Sequence, residues 1–179
     1  MKLPLLAPAF ALLAACGDGG TSVSVGGHTL RVKDSGYVNA DYFCAGAAAG
    51  QLKLNIVDYE PICGGMIPAT APGGARDPQM EHNELELIFV LSSKTAAEDP
   101  KTPYEVNPPN CDVGPAGPGI AYFKHYPSGS EVADVKVAQS GQIFLLSYDA
   151  THMKPATGKY NLDFGSDKIE GEFETYTCN

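Results

Sequence analysis

The densest run of chemistry-bearing side chains is Glu81-His82-Asn83-Glu84-Leu85-Glu86. Glu81 and His82 lead into a strand-like stretch, on which Glu84 and Glu86 fall on one face at a spacing of two. Two carboxylates beside an imidazole can share a proton in acid–base work or hold a divalent cation. His82, Glu84 and Glu86 are therefore the candidates for a metal-dependent or hydrolytic site. The competing reading makes them the solvated edge of a half-buried strand.

Other runs offer less. Asp149 and His152 stand at a strand end, but nothing selects a serine to complete a triad with them. Asp163 and Asp167 flank a turn and offer oxygens to calcium, yet the EF-hand pattern is missing and Asp serves turns without any metal. In Ala121–Tyr126, alternation puts Tyr122 and Tyr126 on one face with Lys124, and Phe123 with His125 on the other. An exposed tyrosine face could stack a sugar ring or a peptide, while the same alternation also serves core and cross-strand packing. Tyr122 and Tyr126 are the binding candidates. The four histidines, His28, His82, His125 and His152, stand in no known ligand spacing. A Gly-x-Ser-x-Gly elbow, a phosphate loop, a dinucleotide fingerprint and a His-Glu-x-x-His pair are all missing from the sequence. It implies no cofactor, and the chain reads as a non-enzyme.

The elements that must position these residues are strands. Of the 179 residues, 44% are hydrophobic and only 18% charged, with 20 Gly and 14 Pro. That suits one domain with a real core, many turns and few long helices. Leu52, Leu54 and Ile56 alternate with Gln51, Lys53 and Asn55, the period of a half-buried strand. Leu85–Leu91 begins in the same way and becomes apolar on both faces, as a central covered strand does. Residues 131–149 read as two strands around Ser140-Gly141, and residues 158–178 as a hairpin around Gly165-Ser166-Asp167. In that hairpin Tyr160, Leu162 and Phe164 face inward with Ile169 and Phe173, Glu170, Glu172 and Glu174 face solvent, and Gly171 in the inward row signals either close approach by a neighbouring side chain or a bulge. Pro61–Gln79 and Lys94–Gly119 are long Pro/Gly-rich loops. Eight or nine strands without a helical period predict an all-β, mostly antiparallel domain. A sandwich is preferred, with an up-and-down barrel as the alternative.

The N-terminus carries an address. Lys2 precedes the apolar run Leu3–Leu13, whose eleven residues are too few to cross a bilayer, since a spanning helix needs about 20. Small residues follow at Ala14 and Ala15, as at an export cleavage site. Leu13-Ala14-Ala15-Cys16 resembles the lipobox of bacterial lipoproteins. That resemblance implies a diacylglyceryl group on the Cys16 sulfur, cleavage before Cys16, and acylation of the new amine by a palmitate-type chain. It also implies attachment to the membrane through Cys16, which two or more acyl chains make stable. Gly17, where enteric lipoproteins kept at the inner membrane carry Asp, favours the outer membrane. The C-terminal hairpin ending in Cys178 resembles those of small uncharacterised lipoproteins of Gram-negative bacteria, over about the last 40 residues. The expected organisation is a signal peptide over 1–15, a lipidated Cys with a flexible Gly/Ser-rich tether over 16–27, and a β-domain over 28–179.

Lipidation at Cys16 leaves Cys44, Cys63, Cys111 and Cys178, an even set that suits two disulfides in an oxidising compartment. Of the three connectivities, Cys63–Cys111 joins two Pro/Gly-rich loops and Cys44–Cys178 joins two strand ends; these are the pairs expected. A net charge of −9, with no basic cluster, argues against nucleic acid. The expected role is a membrane-anchored envelope lipoprotein with a non-enzymatic binding or structural domain, whose partner would be an envelope protein or polymer. The alternatives are an envelope hydrolase or metal-dependent enzyme, and a barrel that carries a small apolar ligand.

Overall fold

Alternating apolar and polar residues organise the described residues into eleven strands. They are β1 (Ser22–Val25), β2 (His28–Arg31), β3 (Asp34–Ala40), β4 (Gln51–Val57), β5 (His82–Val90), β6 (Tyr104–Val106), β7 (Gly119–Tyr126), β8 (Asp134–Val137), β9 (Ser140–Asp149), β10 (Lys154–Asp163) and β11 (Lys168–Thr177). The structure, a computed structural model, describes residues 21–40, 51–59, 77, 79–90, 103–108, 119–149 and 154–177. Cys16, Cys44, Cys63, Cys111, Cys178 and His152 lie outside the described residues, as do the signal segment and the expected disulfides. Among the described residues there is no helix long and apolar enough to cross a membrane.

The domain is all-β. Nine strands form one sheet in the order β5-β4-β3-β11-β10-β9-β6-β7-β8, and β5 also pairs with β7. That last pairing bends the sheet back on itself, so eight strands follow one another around a nearly closed ring and β8 hangs on β7 outside it. The pairings thus describe a barrel rather than the two facing sheets of a sandwich. Nor is it a simple up-and-down meander, because the ring has two short parallel seams. At one, Tyr176 and Thr177 of β11 pair with Gly36 and Tyr37 of β3. At the other, Val106 of β6 pairs with Gly119 of β7. The remaining contacts within the ring are antiparallel.

The inward rows fill the barrel. Leu52, Leu54 and Ile56 of β4 meet Leu85, Leu87 and Phe89 of β5, Phe123 of β7, Ile143 and Leu145 of β9, and Tyr160 and Phe173 from the final hairpin in one continuous core. The β10–β11 hairpin forms as its pattern predicts, with Tyr160 opposite Gly171. A Cβ at Gly171 would lie 2.5 Å from the Tyr160 hydroxyl, so the tyrosine ring occupies the space that the glycine leaves. Strand β5 is covered on both faces, as its apolar middle predicts: its outward Ile88 packs with Ile120 and Tyr122 in a second, separate cluster.

Three segments differ from the sequence expectation. Ser22–Val25, which composition places in the tether, form β1 and pair with β2 across Gly26-Gly27. Both glycines have positive φ, 63° and 85°, the backbone of a type I′ hairpin turn. The Lys94–Gly119 loop contains β6, which inserts between β7 and β9. Strands β8 and β9, consecutive around Ser140, do not form a hairpin: β8 pairs with β7, and β9 pairs with β6 and β10.

The β1–β2 hairpin caps one mouth of the barrel. Val23, Val25 and Leu30 enter the main core. Its Gly26 N–H donates to Asp167 Oδ2 in the β10–β11 turn at 3.0 Å, and the Thr29 carbonyl accepts from Asn83 Nδ2 at the start of β5 at 3.2 Å.

Candidate functional site

Residues of the Glu81–Glu86 run divide between the two faces of β5. His82, Glu84 and Glu86 point outward, whereas Asn83 points inward at the capped mouth. Neither glutamate lies on a solvated edge: Glu84 is 4% exposed and Glu86 3%. This corrects the expectation of a half-buried strand with its polar face in water. Buried charges need partners, and these come from the neighbouring strands. Lys124 of β7 donates to Glu86 Oε2 at 2.7 Å and to Glu84 Oε1 at 3.3 Å. Lys53 of β4 pairs with Glu86 from the other side. Asn55 Nδ2 donates to Glu84 Oε1 at 2.9 Å, and the Tyr59 hydroxyl approaches Oε2 at 3.4 Å.

Burial alone pushes the Glu86 carboxyl up, but Lys124 and Lys53 outweigh it and hold the group below the usual carboxylate range. Burial likewise disfavours the charged Lys124 ammonium, and Glu84 and Glu86 overcome this and raise it above the usual lysine value. The result is an internal ion network. Its oxygens are committed to protein donors, which is a poor arrangement for coordinating a metal or activating water.

His82 is also engaged. Its Nε2 faces the Asp77 carbonyl at 2.9 Å. Its Nδ1 lies 3.4 Å from Asp58 Oδ1, and its ring stands edge-on to Tyr59. The structure therefore gathers His82, Glu84 and Glu86 on one face, but Glu84 and Glu86 share Lys124 while His82 turns to Asp77 and Asp58.

The other candidates fall elsewhere. Tyr122 is only 8% exposed and packs in the outer apolar cluster, so it offers no stacking face, and Tyr126 is half-buried. Asp163 accepts from the Gly165 N–H at 2.7 Å and pairs with Lys168 at 3.2 Å. Asp167 accepts from the Ser166 hydroxyl and the Gly26 N–H. These bonds, the backbone one first for Asp163 and the Ser166 one first for Asp167, hold both carboxyls below the usual range. Both aspartates thus fasten a turn and the cap.

A different cluster, which the sequence reading missed, sits at the capped mouth. His28 opens β2, His125 lies near the end of β7, and Glu81 precedes β5. The His28 and His125 rings stack with centroids 3.5 Å apart and planes 17° from parallel. Glu81 Oε1 lies 3.8 Å from His28 Nδ1 and 3.6 Å from His125 Nδ1. Each of the three offers one ligand atom within 4.8 Å of the others. The one legible signal was Ser22-Val23-Ser24-Val25-Gly26-Gly27-His28, an alternating run ahead of a Gly-Gly turn. Read as a hairpin rather than a tether, it brings His28 onto the barrel.

Asn83 organises this mouth. Its backbone N–H is 3.0 Å from both Asp58 oxygens, and its Nδ2 donates to Asp58 Oδ2 and to the Thr29 carbonyl. Both of those acceptors lack hydrogens, so the amide orientation is fixed and Oδ1 faces His125 Nδ1 at 3.1 Å. Replacing Asn83 with Ala removes bonds to three elements and leaves buried groups unpaired. The expected loss is roughly 1–3 kcal/mol, read from the urea midpoint, with amide hydrogens of β1 and β2 exchanging faster than those of β10.

Compared with known protein families, curated proteins and solved structures, the chain matches none.

Proposed function

We propose that this chain is an exported lipoprotein, held in the bacterial cell envelope through acyl chains on Cys16 and favouring the outer membrane, whose barrel is a non-catalytic binding or structural domain. The observation that carries the reading is Leu13-Ala14-Ala15-Cys16 directly after an apolar run too short to span a bilayer. The barrel supports its second half. Apolar side chains fill the interior, which favours a structural or interaction role over carriage of an apolar ligand. The carboxylates best suited to catalysis are neutralised by lysines, which favours a non-catalytic role. The exposed row Glu170, Glu172 and Glu174 on β11 is the reverse of the apolar outer band that a membrane-spanning barrel needs.

Strand β1 begins at Ser22, six residues after Cys16. At no more than about 3.6 Å per residue, the extended chain between them reaches roughly 20 Å. On this reading the capped barrel works close to the lipid surface, where its partner must also reach.

A Cys16→Ser variant tests the anchor. The expected result is loss of the acyl mass and movement of the protein from the membrane fraction to the soluble envelope fraction. A variant that stays with the membrane, beside a native protein whose mass shows no acyl chains, would overturn the reading.

A further inference from the structure

We propose that His28, Glu81 and His125 form a binding site for one late-transition divalent cation of the zinc class, which ties the β1–β2 cap to the barrel wall. Two imidazoles and one carboxylate favour zinc, copper or nickel over calcium and magnesium, which prefer an all-oxygen shell. Three protein ligands leave further coordination to water, as in open zinc sites.

The spacing is close to what an ion needs. Ligand bonds of about 2.0–2.2 Å in a tetrahedral shell place neighbouring donor atoms about 3.3–3.6 Å apart. The His28 Nδ1 to Glu81 Oε1 separation is 3.8 Å, and Glu81 Oε1 lies 3.6 Å from the Nδ1 edge of the His125 ring. Binding through the other ring nitrogen of His125 needs the Glu81 carboxylate to swing along that ring and the His28 ring to turn out of its stack, movements that side-chain exposures of 58% and 38% accommodate.

The surroundings prepare His125 for the role. Asn83 Oδ1 can only accept, so the His125 Nδ1 facing it at 3.1 Å carries the hydrogen. The lone pair of the neutral ring is then on Nε2. A ring N–H donated to an amide-type oxygen is the outer contact that metal-bound histidines make, and it fixes both tautomer and ring orientation. Here that contact is itself held in place by Asp58 and the Thr29 carbonyl.

The three ligands also come from three separate places. His28 lies on the cap, Glu81 ahead of β5 and His125 on β7. An ion shared among them joins the cap to the wall and binds the folded state alone, so it raises stability with the logarithm of its concentration once that exceeds Kd.

The test is calorimetric titration of zinc chloride into the full-length protein with its free thiols alkylated. The expected result is one ion per chain at about pH 7.5, with affinity at least tenfold lower at about pH 5, where imidazoles protonate. His28→Ala and Glu81→Gln each weaken binding by at least about tenfold and abolish the zinc-dependent rise in Tm. Glu81 is exposed and His28 half-buried, so a cooperative melt without zinc is recorded first for each variant, and Glu81→Gln keeps the test decisive if His28→Ala melts early. Glu172→Gln, exposed in the middle of β11 and paired only with Lys159 among the described residues, leaves the affinity unchanged. No binding at millimolar zinc, equal affinity in the native protein and His28→Ala, or calcium binding as tight as zinc would each overturn the proposal.

Discussion

Replacing Lys124 with Met is expected to lower the unfolding free energy by about 3–5 kcal/mol, the usual effect of removing one partner from a buried ion network. Among the described residues, Lys124 is the one cation within reach of both buried carboxylates, at 2.7 Å from Glu86 and 3.3 Å from Glu84. Without it, Glu84 keeps the uncharged donors Asn55 and Tyr59, and Glu86 keeps Lys53. The measurement is the urea midpoint at neutral pH. A combined Lys124→Met, Glu84→Gln, Glu86→Leu variant should recover most of the loss, because it removes the charges along with their partner. An unchanged midpoint in Lys124→Met would show that water, rather than the lysine, compensates the carboxylates.

The same network sets a pH window. The Glu86 carboxyl is held below its unfolded value. Its contribution is therefore present above about pH 4.3 and is lost as pH falls through the folded value. The Lys124 ammonium is raised, so its contribution is full below about pH 10.4 and is lost as pH rises through the folded value. Native stability should be level between these limits and fall on both sides. In Lys124→Met the acid-side fall becomes shallower, since Glu86 has lost its main attraction.

Phe89→Ala is expected to cost a further class of stability, about 3–5 kcal/mol, from inside the barrel. Phe89 is fully buried. Its ring stands edge-on to Tyr104 of β6 at 4.9 Å and to Phe173 of β11 at 6.4 Å, so it joins strands on different sides of the ring. Truncation leaves a void about the size of benzene. The Tyr104 hydroxyl has no hydrogen-bond partner among the described residues, and burial first, then Tyr148, pushes its phenol up to about 12. One hydroxyl is too little to hold a water, which needs two to four polar partners. The void should stay dry and take up benzene. Thermal melts with and without benzene decide this: a rise in Tm is expected for Phe89→Ala and none for the native protein. If the variant melts like the native protein, the barrel is less tightly filled than its burial indicates.

Much of the wall was legible in the sequence because its strands are long. Strand β4 and the β10–β11 hairpin carry enough alternation to reveal both their type and their inward rows. The strands that were missed are short. Strand β6 has three residues, Tyr104–Val106, fewer than a period of two needs to declare itself, and Pro-rich sequence surrounds it. Strand β1 did alternate, but its serines and the neighbouring glycines gave it the composition of a linker. Glu84 and Glu86 posed a different difficulty. A strand pattern shows that they share a face, whereas only the lysines of β4 and β7 beside them explain how that face can be buried. The His28–Glu81–His125 cluster brings together residues that are distant in sequence, and it depends on a cap whose docking no local pattern expresses.

The seam between β3 and β11 has a consequence in time. Gly36 and Tyr37 wait for Tyr176 and Thr177, so the ring cannot shut until the last strand has been synthesised. Loop closure over such a span is slow compared with hairpin formation. A nascent chain of this kind leaves the edge of β3 unpaired, and the ring open, until β11 has emerged. On the proposed export route, such a chain is still threadable when it meets the translocation pore.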